Sequence, residues 1–203
     1  FFLIFGFNRG EDALGAAEIA YFGILEVVKL ISEKPLYYFL NYIELNLRHS
    51  PVFQFYRYFS YSIFHNDFYF RAINLHLNIF IIFIFYKSLK IVFNKTNKDN
   101  LIMLSSIIFI LPSFRAYSIW PDSFVFGFIF FILSIYFYIK FKDSKSIRTK
   151  RRFALYNTIS LVVASYISPN FGVFILLYIY SFLKEFKLKN YFLYLLFLNL
   201  LLS

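Results

Sequence analysis

The sequence predicts an all-α fold: a polytopic transmembrane helical bundle with interfacial juxtamembrane helices in its first outer loop. Three observations lead there. The 203 residues are 60% hydrophobic and only 16% charged, whereas soluble domains run nearer half apolar and a quarter charged. The mean hydropathy is +0.63. The apolar residues are also gathered in runs. Ile79 to Tyr86 is uninterrupted, and Trp120 to Ile139 holds one charge, Asp122. A bilayer core requires about 20 such residues per helix.

Each element can be justified in chain order. Phe1 to Phe7 reads as the end of a first span, followed by the polar exit Asn8-Arg9-Gly10-Glu11-Asp12. From there to Glu33, the residues Glu11, Glu18, Glu26, Lys29 and Glu33 fall within an arc of about 80° on a helical wheel. A narrow charged stripe on an apolar body suits a helix lying in the membrane interface. Pro35 starts a second short helix over 36–47, since proline is favourable at the first helical position. The aromatic stretch Val52 to Phe64 is too short to span easily. Residues 8–67 therefore read as one long loop of interfacial helices.

The second span is predicted over about 68–86, with Arg71, Asn74 and Asn78 sharing one face. Such polar groups face the bundle interior or a water-filled cavity. A basic loop with Lys87, Lys90, Lys95 and Lys98 follows. The third span covers about 101–119 with Pro112 as a kink, and the fourth runs from the turn Trp120-Pro121-Asp122-Ser123 to about Ile139. The loop 140–152 holds seven Lys/Arg. A fifth span covers about 153–167, the turn Ser168-Pro169-Asn170 follows, and a short sixth covers about 171–182. Lys184, Lys187 and Lys189 form a third basic loop before a seventh span begins near Tyr191. Both ends of the sequence fall inside apolar runs, so the chain reads as the N-terminal part of a larger transmembrane domain.

Charge sets the orientation. The loops after spans two, four and six hold 4, 7 and 3 Lys/Arg, and the turns between them hold none. Positive-inside bias places the basic loops in the cytoplasm and residues 8–67, 120–123 and 168–170 outside. That makes the net charge of +10 a property of cytoplasmic loops rather than a nucleic-acid signal. The 32 Phe and 18 Tyr match what an A+T-rich genome supplies and carry no functional weight. Cysteine is absent, which excludes disulfides, thiolate metal sites and Cys nucleophiles.

Seven of the eleven acids lie in 8–67, and Asp122 caps a predicted hairpin on the same side. Glu11, Asp12 and Asp122 can therefore meet across one outward-facing cavity, where a carboxylate can act as general base. Lys34, Arg71 and Arg115 on that side suit an anionic group such as a lipid phosphate. Each has a structural reading beside it. Asp12 stands where a helix N-cap would, and Asp122 where the helix dipole favours an acid. Lys34 and Arg71 reach headgroups by snorkelling. Trp120 suits an interface anchor. His49, His65 and His76 show no metal-ligand spacing, and there is no glycine-rich phosphate loop or nucleophile elbow.

Four places resemble the N-terminal half of a C-type (GT-C) glycosyltransferase, near the lipid A aminoarabinose transferases and protein O-mannosyltransferases. They are the acidic pair Glu11-Asp12; the segment Glu33-Lys34-Pro35-Leu36-Tyr37-Tyr38; Arg71 at the head of the second span; and Arg115-Ala116-Tyr117-Ser118-Ile119-Trp120-Pro121-Asp122. The family usually shows the acidic pair in the order Asp-Glu, so Glu11 stands as fallback. The resemblance implies that Asp12 is the catalytic base, that Lys34 contacts the phosphate of a polyprenyl-phosphate sugar donor, and that Asp122 lies near the active site. Glu33, Arg71, Arg115, Tyr117 and Trp120 are the further substrate-binding candidates. It also implies an inverting transferase of the cytoplasmic membrane, with its active site facing the exterior and a glycolipid, glycan or protein as acceptor. No cofactor is required, and a divalent metal is left open. A transporter or flippase would instead show polar residues near the bilayer midplane and broken helices. A noncatalytic scaffold would keep Asp12 and Asp122 apart.

Overall fold

The structure, a computed structural model, describes residues 29–40, 51–64, 67–111, 114 and 123–186. Among them every regular element is helical, as the composition predicts. Residues 29–33 are helical and are followed by α1 (Pro35–Leu40), α2 (Pro51–Phe64) and α3 (Asp67–Val92). Next come α4 (Lys98–Ser106) and a 3-10 segment over Ile107–Ile110. Then follow α5 (Ser123–Asp143), α6 (Ile147–Ile167), a second 3-10 segment over Pro169–Phe174, and α7 (Ile175–Phe186). Two stretches, Ala72–Val92 and Ser123–Asp143, are long and apolar enough to cross a membrane. At 1.5 Å per residue, 21 helical residues reach about 31 Å, the thickness of a hydrocarbon core.

Several predicted boundaries move, and the basic residues explain most of it. α3 continues through Lys87 and Lys90 to Val92, so those lysines ride on the helix rather than in a loop. Lys87 lays its ammonium over the Phe83 ring at 5.2 Å. A long stem can snorkel while its backbone stays helical, and cations at a helix C-terminus are favoured by the dipole. The predicted loop 140–152 shrinks to residues 144–146, with Lys140 and Lys142 on α5 and Arg148 to Arg152 on α6. Charges thus end the apolar segment without ending the helix.

The third predicted span is not one helix. α4 stops at Ser106, and the 3-10 segment closes at Leu111, whose ψ of 119° is extended. Proline disfavours the helical region for the residue before it, and Pro112 follows. The break nevertheless starts five residues earlier. Ser105 and Ser106 both donate to the Ile102 carbonyl, at 2.9 and 2.8 Å, and such back-bonding bends helices. The sixth predicted span likewise opens as 3-10 before α7 begins.

α5 and α6 form the centre. Phe124 meets Phe171 at 5.1 Å at one end, and Phe141 meets Phe182 at 5.1 Å and Phe186 at 5.7 Å at the other. Hence α5 and α7 run parallel, and α6 runs against both. Phe131 stacks on Phe171 at 4.9 Å and meets Phe174 at 4.5 Å between them. α3 joins this core through Ile81, which packs with Phe114, Val125 and Ile132. α2 covers the Ser123 end of α5, where Tyr56 stacks on Phe126 at 4.5 Å and Phe53 is fully buried. The aromatic stretch 52–64 is thus helical and packs on the bundle.

Gly127 sets the approach of α5 to α6. A Cβ there would stand 3.1 Å from Phe171 and 3.3 Å from the Ala164 carbonyl oxygen. Gly127→Ala asks Phe171 to yield slightly while recovering about 1 kcal/mol of helix propensity, so it is expected to be nearly neutral. Gly127→Val overpacks the contact and should cost about 1–3 kcal/mol. Thermal unfolding of the two variants in detergent checks this; equal melting temperatures would refute the close-contact role.

Candidate functional site

The predicted site divides into what the structure describes and what it does not. Glu11, Asp12, Arg115, Tyr117, Trp120 and Asp122 lie outside the described residues. Glu33 and Lys34 are described and both are exposed. The helical segment 29–33 ends there: the Lys34 amide donates to the Leu30 carbonyl at 2.9 Å, and Pro35 opens α1 as the motif predicts. Ile31 is buried while Leu36 and Tyr37 are exposed. The Lys34 ammonium makes no ion pair among the described residues. Arg71 sits in the second turn of α3.

Two of the three residues on the predicted polar face of α3 turn inward. Asn74 and Asn78 are both buried. The Asn78 amide donates to the Asn74 carbonyl at 2.8 Å, and the Tyr56 hydroxyl of α2 donates to Asn74 Oδ1 at 3.4 Å.

A second polar cluster, not foreseen from the sequence, lies at mid-height between α5, α6 and α7. Ser134 and Asn157 are each 0% exposed. The Asn157 side-chain amide donates to the Ser134 carbonyl across the helix pair at 2.7 Å. The Ser134 hydroxyl donates to the Phe131 carbonyl at 2.8 Å and lies 3.4 Å from the Tyr178 hydroxyl. Tyr178 also lies beside the Asn157 side chain, but not in bonding geometry, and Asn157 Oδ1 has no hydrogen-bond partner among the described residues. One turn away, the Tyr138 and Ser181 hydroxyls share a 2.6 Å hydrogen bond. The rule that found Asn74 and Asn78 applies equally to Asn157, a lone amide in an apolar segment; only its partners are beyond local reading.

These positions belong to a wider pattern. Asn74, Asn78 and Ser88 of α3 are buried while Ile79, Phe80 and Phe83 are exposed. On α6, Asn157, Thr158, Ser160 and Ser165 are buried while Tyr156 and Ile159 are exposed. On α7, Tyr178 and Ser181 are buried while Leu176, Leu177 and Tyr180 are exposed. These polar residues share the interior with apolar ones such as Ile81, Leu161 and Phe182, while the exposed residues named here are apolar, an exposure that water does not favour.

At the far end of the bundle, Lys150 of α6 pairs with Glu185 of α7. That hydrogen bond, with nearby Lys142 and Lys184, holds the Glu185 carboxyl below its ordinary range.

Comparison of the chain with protein-family models, with characterised proteins and with solved structures finds no match.

Two expectations follow. A double-mutant cycle on Tyr138→Phe and Ser181→Ala should give a coupling of about 0.6–1.7 kcal/mol, the range of hydrogen bonds between membrane helices. Strictly additive unfolding energies would mean the contact is not made. A lowered pKa means that the Lys150–Glu185 contribution is present above the ordinary carboxylate range and is lost as pH falls through the depressed value. Glu185→Gln should therefore lower the melting temperature slightly at neutral pH, and the gap should close in acid. A gap that widens in acid would reverse the assignment.

Proposed function

We propose that the chain is a multi-span protein of the cytoplasmic membrane, and that its outward-facing segments carry a glycosyltransferase site for a polyprenyl-phosphate sugar. The exposed apolar residues of α3, α6 and α7, together with the polar ones buried between the helices, support the membrane reading. They extend that reading to α6 and α7, which the two longest apolar stretches alone do not include. In lipid there is no solvent reward for burying Leu176 or Ile159, and polar side chains gain by meeting one another. The basic ends of α3, α5 and α7 and the start of α6 lie at one side, which positive-inside bias assigns to the cytoplasm.

Lys34 is the observation that carries the enzymatic reading. It stands exposed and unpaired among the described residues, at the junction of two helical segments, next to exposed Leu36 and Tyr37. That is how a cation waiting for an interfacial lipid phosphate would be presented. In the proposed reaction Asp12 takes the proton from an acceptor hydroxyl. The acceptor oxygen then bonds to the anomeric carbon as the bond from that carbon to the phosphate oxygen breaks. The polyprenyl phosphate leaves with both bonding electrons, its charge offset by Lys34 and Arg71. Attack from the face opposite the leaving phosphate inverts the anomeric centre.

A second reading, a transporter or flippase of a lipid-linked substrate, draws on a different observation. The Ser134–Asn157–Tyr178 cluster is polar at mid-height, and the chain is interrupted at Ser106 to Leu111 and again at Pro169–Phe174. Polar midplanes and interrupted helices are what such proteins use.

One experiment separates the two. The full-length protein is reconstituted in vesicles with a polyprenyl-phosphate sugar and an acceptor. Asp12→Asn should lower sugar transfer by about 10²–10⁴-fold, the usual contribution of a general base, and leave transbilayer movement of the donor unchanged. Wild-type transfer by Asp12→Asn would remove the assigned base. Donor movement without any acceptor, lost in Asn157→Leu, would favour the transporter.

A further inference from the structure

We propose that the α5–α6 hairpin carries a binding site for one anionic phospholipid, with the phosphate held by Arg148 and Arg152 and an acyl chain lying along Tyr156 and Ile159. This rests on the multi-span membrane reading above but not on any enzymatic activity.

The first observation is a charge excess brought to one place by the fold. The three-residue turn at 144–146 sets the end of α5 beside the start of α6, and the Lys150–Glu185 pair adds the end of α7. Eight cations between Lys140 and Lys184 then face two acids, Asp143 and Glu185. Lys142 and Lys150 lie 5.5 and 5.9 Å from the centre of the same Phe141 ring. Glu185 is committed to Lys150. Arg148 and Arg152 are exposed and make no ion pair among the described residues. Both also stand near the start of α6, where the helix dipole opposes a cation. An anion bound between them relieves both penalties.

The second observation is the order of residues along that face. Arg148, Arg152, Tyr156 and Ile159 fall within an arc of about 80° on α6. All four are exposed. The face is cationic for its first turn and a half and apolar beyond, with an aromatic residue at the change. Tyr156 meets Phe137 of α5 at 5.2 Å, Phe137 meets Phe153 at 6.4 Å, and Lys140 one turn beyond lies 5.9 Å from the Tyr136 ring. Aromatic rings mark the boundary between headgroups and hydrocarbon. From the helix end inward, the face therefore offers guanidinium, aromatic ring and aliphatic side chain. A phospholipid offers phosphate, glycerol and acyl chain in the same order.

Guanidinium is the group that fits this role. Arginines at i and i+4 stand side by side on a helix, and each presents a planar fork that takes two phosphate oxygens at once. A nucleic acid would also satisfy the charge, but it would leave Tyr156 and Ile159 uncovered.

Native mass spectrometry on the full chain tests the proposal, with phosphatidylglycerol and phosphatidylcholine as probes. The wild type should retain phosphatidylglycerol in preference. The pair Arg148→Gln and Arg152→Gln should weaken that retention about 30-fold, at about 1 kcal/mol per cation near a lipid surface. The pair Lys95→Gln and Lys98→Gln removes the same charge at the same end and should leave retention unchanged. Equal losses in the two double variants would reduce the site to a diffuse charge effect and overturn it. Displacement of the lipid by a short single-stranded oligonucleotide or by millimolar inorganic phosphate would overturn it in favour of those anions. Alkaline carbonate extraction of membranes reports separately on the reading beneath. The arginine variants should stay in the membrane fraction, whereas release of the wild-type chain would sink the membrane assignment itself.

Discussion

The close approach of α5 to α6 is the contact on which the rest of the bundle depends. It exists because small residues meet along the pair: Gly127 against the Ala164 carbonyl, and Ser134 against Asn157. On the proposed membrane reading there is no hydrophobic drive between helices, so backbones must come close enough for dispersion and hydrogen bonding to hold them. Phe171 then fills the space that the missing Gly127 side chain leaves, Phe174 packs on Phe131 beyond it, and α7 follows along the path they set. α3 docks on the opposite side of α5 through Ile81. Widening the pair at Gly127 would therefore move three elements.

Charge placement completes that geometry. Because α5 and α7 run parallel and α6 against them, the basic ends of all three gather at one side. Repulsion among those cations is relieved locally by aromatic rings, with Lys140, Lys142 and Lys150 each lying about 6 Å from a Tyr or Phe ring. The opposite end of the described bundle carries aromatic contacts instead, among them Phe124 with Phe171 and Tyr56 with Phe126. The asymmetry seen as alternating loops in the sequence is thus an end-to-end asymmetry of the folded helices.

Much of this was legible from runs and periods. The apolar runs of the second, fourth and fifth predicted spans are helices, Pro35 opens α1, and Asn74 with Asn78 turned inward as their spacing required. Helix ends near charges were not legible. Lysine and arginine are good helix formers, so Lys87, Lys140 and Arg148 mark where apolar character stops but not where the backbone turns. The interruption at Ser106 was hidden for another reason: it arises from two hydroxyls sharing one carbonyl, and serine in an apolar run is otherwise silent. The Ser134–Asn157 bond joins positions 23 residues apart and has no local signature. Of the expected site, Glu33 and Lys34 are exposed at a helix junction. The carboxylates that would complete it fall outside the described residues.

The polar groups form two populations with different chemical capacity, and this difference bears on function. Among the described residues, those buried in the bundle are amides and hydroxyls: Asn74, Asn78, Ser134, Asn157, Tyr178 and Ser181. They donate and accept hydrogen bonds but offer no carboxylate to take a proton, so they suit register between helices or passage of a neutral polyhydroxylated group. Ionised side chains stay at the rims, as the cost of charge in hydrocarbon demands. On the proposed reading, a general base therefore belongs at a rim. The segment 8–67, which that reading places outside, has seven acids to five Lys/Arg in the sequence. The basic rim has cations in excess, which is the condition for holding an anion and not for removing a proton.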